Sequence, residues 1–121
     1  MRTLLVALDI DGTIDANPPV YLALMQALRT AGNRVVILSG SSGPTATLED
    51  MEQKKTYLTS LGLDQAYDQL VVLGDPTDEL KAQWLADNGA DLFIDNAVKN
   101  IKAAKDICLC LCPWQTKIKD H

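Results

Sequence analysis

Aromatic side chains are scarce, only 5% of the chain, so the core has to be built from Leu, Val, Ile and Ala. Histidine occurs once, as His121 at the end of the sequence, which argues against histidine-based catalysis. The three cysteines, Cys108, Cys110 and Cys112, are odd in number and sit at alternate positions, a poor disulfide framework. They imply a reducing compartment, the cytoplasm. Alternate positions put all three on one face of a strand. Metal binding there is conceivable, but free cysteine acting as a small buried apolar residue is the commoner case. There is no apolar run of about 18 residues, so no membrane span is expected. The first residues are apolar but too few for a signal peptide, and they run straight into acid. Gly40-Ser41-Ser42-Gly43-Pro44-Thr45 lacks the Gly-Lys of a P-loop. Positive charge is in deficit, with 11 Lys and Arg against 16 Asp and Glu and a net charge of -5. This argues against strong non-specific nucleic-acid binding, which needs clustered cations, while leaving room for a local basic lip around one site.

What is present fits one globular domain over residues 1–121, with 47% apolar and 22% charged residues. Apolar runs at 3–8, 35–38, 70–73, 92–94 and 107–111 read as strands buried on both faces. Between them lie helical segments. One opens at Pro18-Pro19, carries Leu22, Met25, Ala27 and Leu28 inward and stops at Gly32. A second covers 47–61 and stops at Gly62. A third has Thr77 as N-cap and Leu80, Trp84 and Leu85 inward. The last carries Val98, Ile101 and Ala104. Residues 115–121 read as a loosely held tail. This alternation predicts an α/β fold, a three-layer Rossmann-like parallel sheet of about five strands. In such sheets ligands bind beyond the carboxyl ends of the strands. The residues at those ends are Asp9 and Asp11, Ser39, Gly74-Asp75, and Asp95.

Asp9 and Asp11, two apart on an extended segment, would face the same way. Two converging carboxylates can hold a hard cation or divide nucleophilic and proton-transfer work. Gly12 allows a tight bend whose amides face an anion, and Thr13 adds a hydroxyl. Asp75, ahead of Pro76, is a rival metal ligand. Lys99, Lys102 and Lys105 read as a solvated helix face.

The run Leu5-Val6-Ala7-Leu8-Asp9-Ile10-Asp11-Gly12-Thr13-Ile14 resembles the first motif of the haloacid dehalogenase-like hydrolase superfamily. Val35-Val36-Ile37-Leu38-Ser39-Gly40 resembles the second. Lys81 stands where the third motif places its lysine, and Asp91-Leu92-Phe93-Ile94-Asp95-Asn96 resembles the fourth. Within the superfamily, Ser39-Gly40-Ser41, Gly74-Asp75 and the helix with Lys81 and Trp84 are similar to polynucleotide kinase 3′-phosphatase domains. The resemblance implies a HAD-like, cap-less, Mg²⁺-dependent phosphatase working through an aspartyl-phosphate. Asp9 would be the nucleophile, Asp11 the acid and base, and Lys81 the charge-balancing third catalytic residue. Gly12, Thr13, Ser39, Gly40 and Ser41 would bind substrate phosphate. Mg²⁺ would lie between Asp9, the Asp11 carbonyl and Asp95.

Two positions depart from these motifs. Asn96 stands where a second acid is common, and Ser41 stands where the polynucleotide phosphatases carry Arg. The implied partner is a phosphorylated substrate, either a small molecule or a nucleic-acid end. A site without a cap could also be closed by a second copy in a homo-oligomer. The alternatives are a small-metabolite or nucleotide phosphatase, or a binding module of HAD-like or receiver type without turnover.

Overall fold

The computed structural model describes residues 2–113. The segment read as a loose tail therefore lies outside the described residues. Five strands form one sheet: β1 (Leu5–Leu8), β2 (Arg34–Gly40), β3 (Gln69–Leu73), β4 (Leu92–Ile94) and β5 (Leu109–Leu111). All neighbours pair in parallel, in the order β3-β2-β1-β4-β5. Four helices alternate with them: α1 (Pro18–Thr30), α2 (Leu48–Ser60), α3 (Thr77–Asn88) and α4 (Val98–Ala104). This is the expected three-layer, Rossmann-like α/β fold. No helix among the described residues is long and apolar enough to cross a membrane.

The central strands are apolar on both faces because both faces are covered. Val6, Leu8, Val35 and Ile37 face one way, into a cluster with Tyr21 and Met25 of α1 and Leu58 of α2. Leu5, Ala7, Val36 and Leu38 face the other way, against Leu85 of α3 and Ala104 of α4. At about 25 cal/mol per Å², burial of these side chains is the main term holding the layers together.

The chain steps from β1 to β2 to β3, then crosses to β4 on the far side of β1. The crevice between β1 and β4 is thus the switch point where a ligand site is expected.

Local differences from the sequence reading have local causes. β1 begins at Leu5, leaving Thr3 and Leu4 exposed. β5 begins only at Leu109, because a turn follows α4. Ala27 faces solvent, and Tyr21 takes the inward place on α1. Val98 is exposed at the start of α4. Pro76, in an extended conformation, is the residue before α3, so Thr77 is inside the helix rather than its cap. Its hydroxyl donates back to the Gly74 carbonyl at 3.2 Å. The true side-chain cap is Thr47 on α2, which forms a capping box with Asp50.

Candidate functional site

β1, β2 and β4 each deliver a polar residue to the carboxyl end of an otherwise apolar sheet. Asp9 follows β1, Ser39 lies near the end of β2 and Asp95 follows β4. All three are buried, as are Thr13 and Lys81. Lys81 reaches in from α3 and is only 2% exposed. Its ammonium lies 2.9 Å from Asp9 Oδ1 and 2.8 Å from Asp95 Oδ2. It also sits 5.9 Å from the centre of the Phe93 ring. Buried charges persist only when paired, and here one cation balances two anions.

Asp95 is fully engaged. Besides Lys81, it accepts from the Asn100 side chain at 2.9 Å and from the Ala97 amide at 2.8 Å. Asp9 Oδ2 accepts from the Thr13 hydroxyl at 3.3 Å, and that hydroxyl accepts from the Asn96 amide. Burial pushes the Asp9 carboxyl up to about 6, against the pull of Lys81, with Asp95 and Asp11 adding to the rise.

Asp11 behaves differently from the sequence expectation. The chain leaves the extended state after Leu8, so the two-residue alternation no longer applies. Asp9 turns inward, while the Asp11 side chain is 67% exposed and pairs with Lys54 of α2 at 3.2 Å. Asp11 is near enough to raise the Asp9 pKa but does not converge with it on one point.

Gly12 has a φ of +79°, and a Cβ there would fall 2.2 Å from Asn96 Nδ2, so both backbone conformation and space require glycine. Its amide donates to Asp15 Oδ1 at 2.7 Å. A Cβ on Gly40 would fall 2.7 Å from Thr77, so Gly40 lets β2 approach the start of α3. The Ser41 amide donates to the Leu73 carbonyl at 2.7 Å. The hydroxyls of Ser39 and Ser41 are sealed from solvent and have no hydrogen-bond partner. An unsatisfied buried hydroxyl costs about 1–3 kcal/mol, so each is a donor in want of an acceptor.

Two clefts flank this cluster. One, of about 610 Å³, is lined by Asp75, Pro76, Thr77, Asp78, Lys99 and Asn100. The other, of about 440 Å³, is mostly apolar and runs from Asn17, Tyr21 and Leu24 to Ile94 and Leu111.

The donor set meets Mg²⁺ only in part. The described residues contain no cluster of three or more His, Cys, Asp or Glu side chains placed to hold a metal. Lys81 already supplies the counter-charge between Asp9 and Asp95. Asp9 retains free lone pairs for a cation that brings phosphate oxygens with it, whereas the Asp11 side chain is turned to Lys54. Asp75 is exposed and accepts from Thr77 instead. Cys108 and Cys110 are half-buried against the core beside α3 and α4, and burial pushes Cys108 up to about 12. Cys112 is exposed beyond β5, so the three thiols do not share one buried face.

Sequence reasoning missed three of the residues that build this site. Asn100 fixes Asp95 and Asp15 fixes Gly12, contacts no local pattern announces. Lys54 had a signal: Met51, Lys54, Leu58 and Leu61 fall at helical spacing, placing a lysine within the inward stripe of α2.

No protein-family model and no curated protein sequence matches the chain. Solved structures do. A universal stress protein in complex with cAMP matches with a TM-score of 0.57 and 12% identity, over 92% of this chain and 98% of that one. The universal stress protein from Archaeoglobus fulgidus matches with a TM-score of 0.58 and 15% identity, over 91% of this chain and 94% of that one. Likeness at this identity establishes the fold. It also corrects the haloacid dehalogenase-like assignment, including the cap-less polynucleotide 3′-phosphatase resemblance. The solved structures just described are universal stress proteins, a different family. The Mg²⁺-dependent hydrolase activity and the aspartyl-phosphate chemistry are corrected with it.

Proposed function

We propose that the chain is a binding module for a small phosphorylated ligand of nucleotide type, which it holds without hydrolysing. The observation that carries this reading is the Ser39 hydroxyl, buried and unpartnered at the end of β2, the strand paired with β1 where β1 runs into Asp9. A phosphate oxygen is the acceptor it lacks. Gly12 and Thr13 after β1, and Gly40 and Ser41 at the end of β2, lie at the same edge of the sheet. Lys81 reduces the negative field that an anion would otherwise meet there. The apolar cleft beside Ile94 suits a base or sugar, which favours a nucleotide over bare phosphate. A structure of similar fold holding cAMP supports the same ligand class. A net charge of -5 disfavours the end of a nucleic-acid chain.

Mg²⁺, in this reading, enters with the ligand and would be held on the protein side by Asp9, while Asp95 stays with Lys81 and the Asp11 side chain with Lys54. Its contribution would be to bridge carboxylate and phosphate charge. The compartment we propose is the cytoplasm, in keeping with three free thiols.

Calorimetric titration with AMP and with cAMP, in EDTA and in Mg²⁺, tests the proposal. The expected result is saturable binding that Mg²⁺ tightens. Replacing Ser39 by Ala should weaken it about 10- to 100-fold, the value of one charge-assisted hydrogen bond. Absence of binding by both nucleotides would overturn the reading.

A further inference from the structure

Helix α2 is fastened to the rest of the molecule in an unusual way. Only Leu58 is completely buried along its whole length, with Met51 packed at the edge of the core. Two polar links do the remaining work. Lys54 pairs with Asp11 at 3.2 Å, and the Tyr57 hydroxyl donates to Asp15 Oδ2 at 2.7 Å. Asp15 in turn accepts from the Gly12 amide. Both links therefore end on the loop that follows β1, at the mouth of the site.

Lys54 belongs to the inward stripe of α2, and its side chain is 20% exposed. Ser39 lies on the same side of the sheet, since it alternates with Val35 and Ile37, which pack in one cluster with Leu58. Four carboxylates stand around the loop: Lys81 compensates Asp9 and Asp95, Asp15 accepts from the Gly12 amide and the Tyr57 hydroxyl, and Asp11 faces Lys54. Lys54 is the second cation, and its partner Asp11 is open to water. An exposed pair of this kind is weakly held. A phosphate offers the same ammonium stronger, charge-assisted hydrogen bonds in a less solvated place.

We infer that Lys54 is the phosphate-recruiting cation of this site, stored on Asp11 until a ligand's phosphate takes Asp11's place. This rests on the binding function proposed above. It adds a residue to the site and a reason for the side chain of Asp11 to face outward.

The test is AMP affinity in EDTA at two salt concentrations, for the wild type and for Lys54→Met, Lys54→Arg, Asp11→Asn and the Lys54→Met/Asp11→Asn pair. Lys54→Met should weaken binding about tenfold or more and flatten its salt dependence. Lys54→Arg should retain most of the affinity. Asp11→Asn should tighten binding, because it frees Lys54, and this gain should vanish in the double variant. Melting temperatures should stay close to the wild type throughout, since the Asp11 side of the pair is open to water. A Lys54→Met protein that binds AMP with unchanged affinity and salt dependence would overturn the inference alone. So would an Asp11→Asn variant that weakens binding as Lys54→Met does, because the pair would then be a strut. If the wild type itself fails to bind AMP, the proposed function falls and this inference with it.

Discussion

The ammonium of Lys81 lies 2.8 Å from a carboxylate oxygen of Asp95, and neither side chain reaches solvent appreciably. The pair sets the electrostatics of the whole strand-end cluster, because Asp9 shares the same lysine. Replacing Lys81 by Met leaves two buried carboxylates facing each other without a cation. Removing one partner of a buried ion pair costs about 3–5 kcal/mol. Urea unfolding at neutral pH should show a loss of that order. Adding Asp95→Asn to Lys81→Met should recover part of it, since one of the two uncompensated charges is gone. A Lys81→Met protein as stable as the wild type would show that the lysine is not the keystone of the cluster.

Asp9 should make stability depend on pH in a direction unusual for a carboxylate. Its pKa in the folded chain is raised, to about 6, from an ordinary 3.8. Between these values the folded state holds a proton that the unfolded state has lost. The associated stability is present in full below about pH 3.8 and is lost as pH rises through 6. Asp9→Asn removes that titration. Melting temperature measured across this range should fall less steeply in Asp9→Asn than in the wild type, and the variant should be the more stable of the two at pH 7.5. Parallel curves would mean that Asp9 does not titrate as described.

Gly12 is held by backbone conformation and by Asn96 together. Gly12→Ala must adopt a left-handed φ, which costs a side-chain-bearing residue about 1–2 kcal/mol, and must displace the Asn96 side chain. In an Asn96→Ala background the displacement disappears and only the conformational cost remains. Denaturation of the two single variants and the double variant should therefore show a positive coupling between positions 12 and 96. Strict additivity would contradict the close approach of these residues.

The fold was legible because strands buried on both faces announce themselves as continuous apolar runs. Leu5 to Leu8 and Val35 to Leu38 needed no partner information to be recognised. The strand-end rule then pointed to Asp9, Ser39 and Asp95, which the structure places in the interior. What was not legible depends on contacts distant in sequence. Lys54 and Asp11 are 43 residues apart, so the helical spacing that turns Lys54 inward does not reveal its partner. The orientation of Asp11 was misjudged because alternation holds only while the strand lasts. The family assignment failed for a related reason. It rested on four short motifs, at Asp9–Thr13, Ser39, Lys81 and Asp95, which follow the strand order of the fold, and a fold hosts many functions.

Ser39 should show the trade between stability and function expected of a binding residue. Its hydroxyl has no hydrogen-bond partner within the chain. Ser39→Ala removes a buried unsatisfied donor and should leave the free protein equally or more stable, by up to about 1 kcal/mol. The same change should reduce the rise in melting temperature produced by saturating AMP. Thermal unfolding with and without the nucleotide reads both effects. A destabilised Ser39→Ala protein with an undiminished ligand shift would assign Ser39 to packing alone.

Binding without turnover is the central claim, and one phosphorus NMR experiment reads both halves of it. The protein is mixed with AMP and Mg²⁺ near equimolar concentration and followed over hours. The account predicts a shifted or broadened nucleotide phosphate signal that persists, with no inorganic phosphate signal growing beyond a protein-free control. An unperturbed AMP signal would contradict the binding, and steady accumulation of inorganic phosphate that is lost in Asp9→Asn would contradict the absence of hydrolysis.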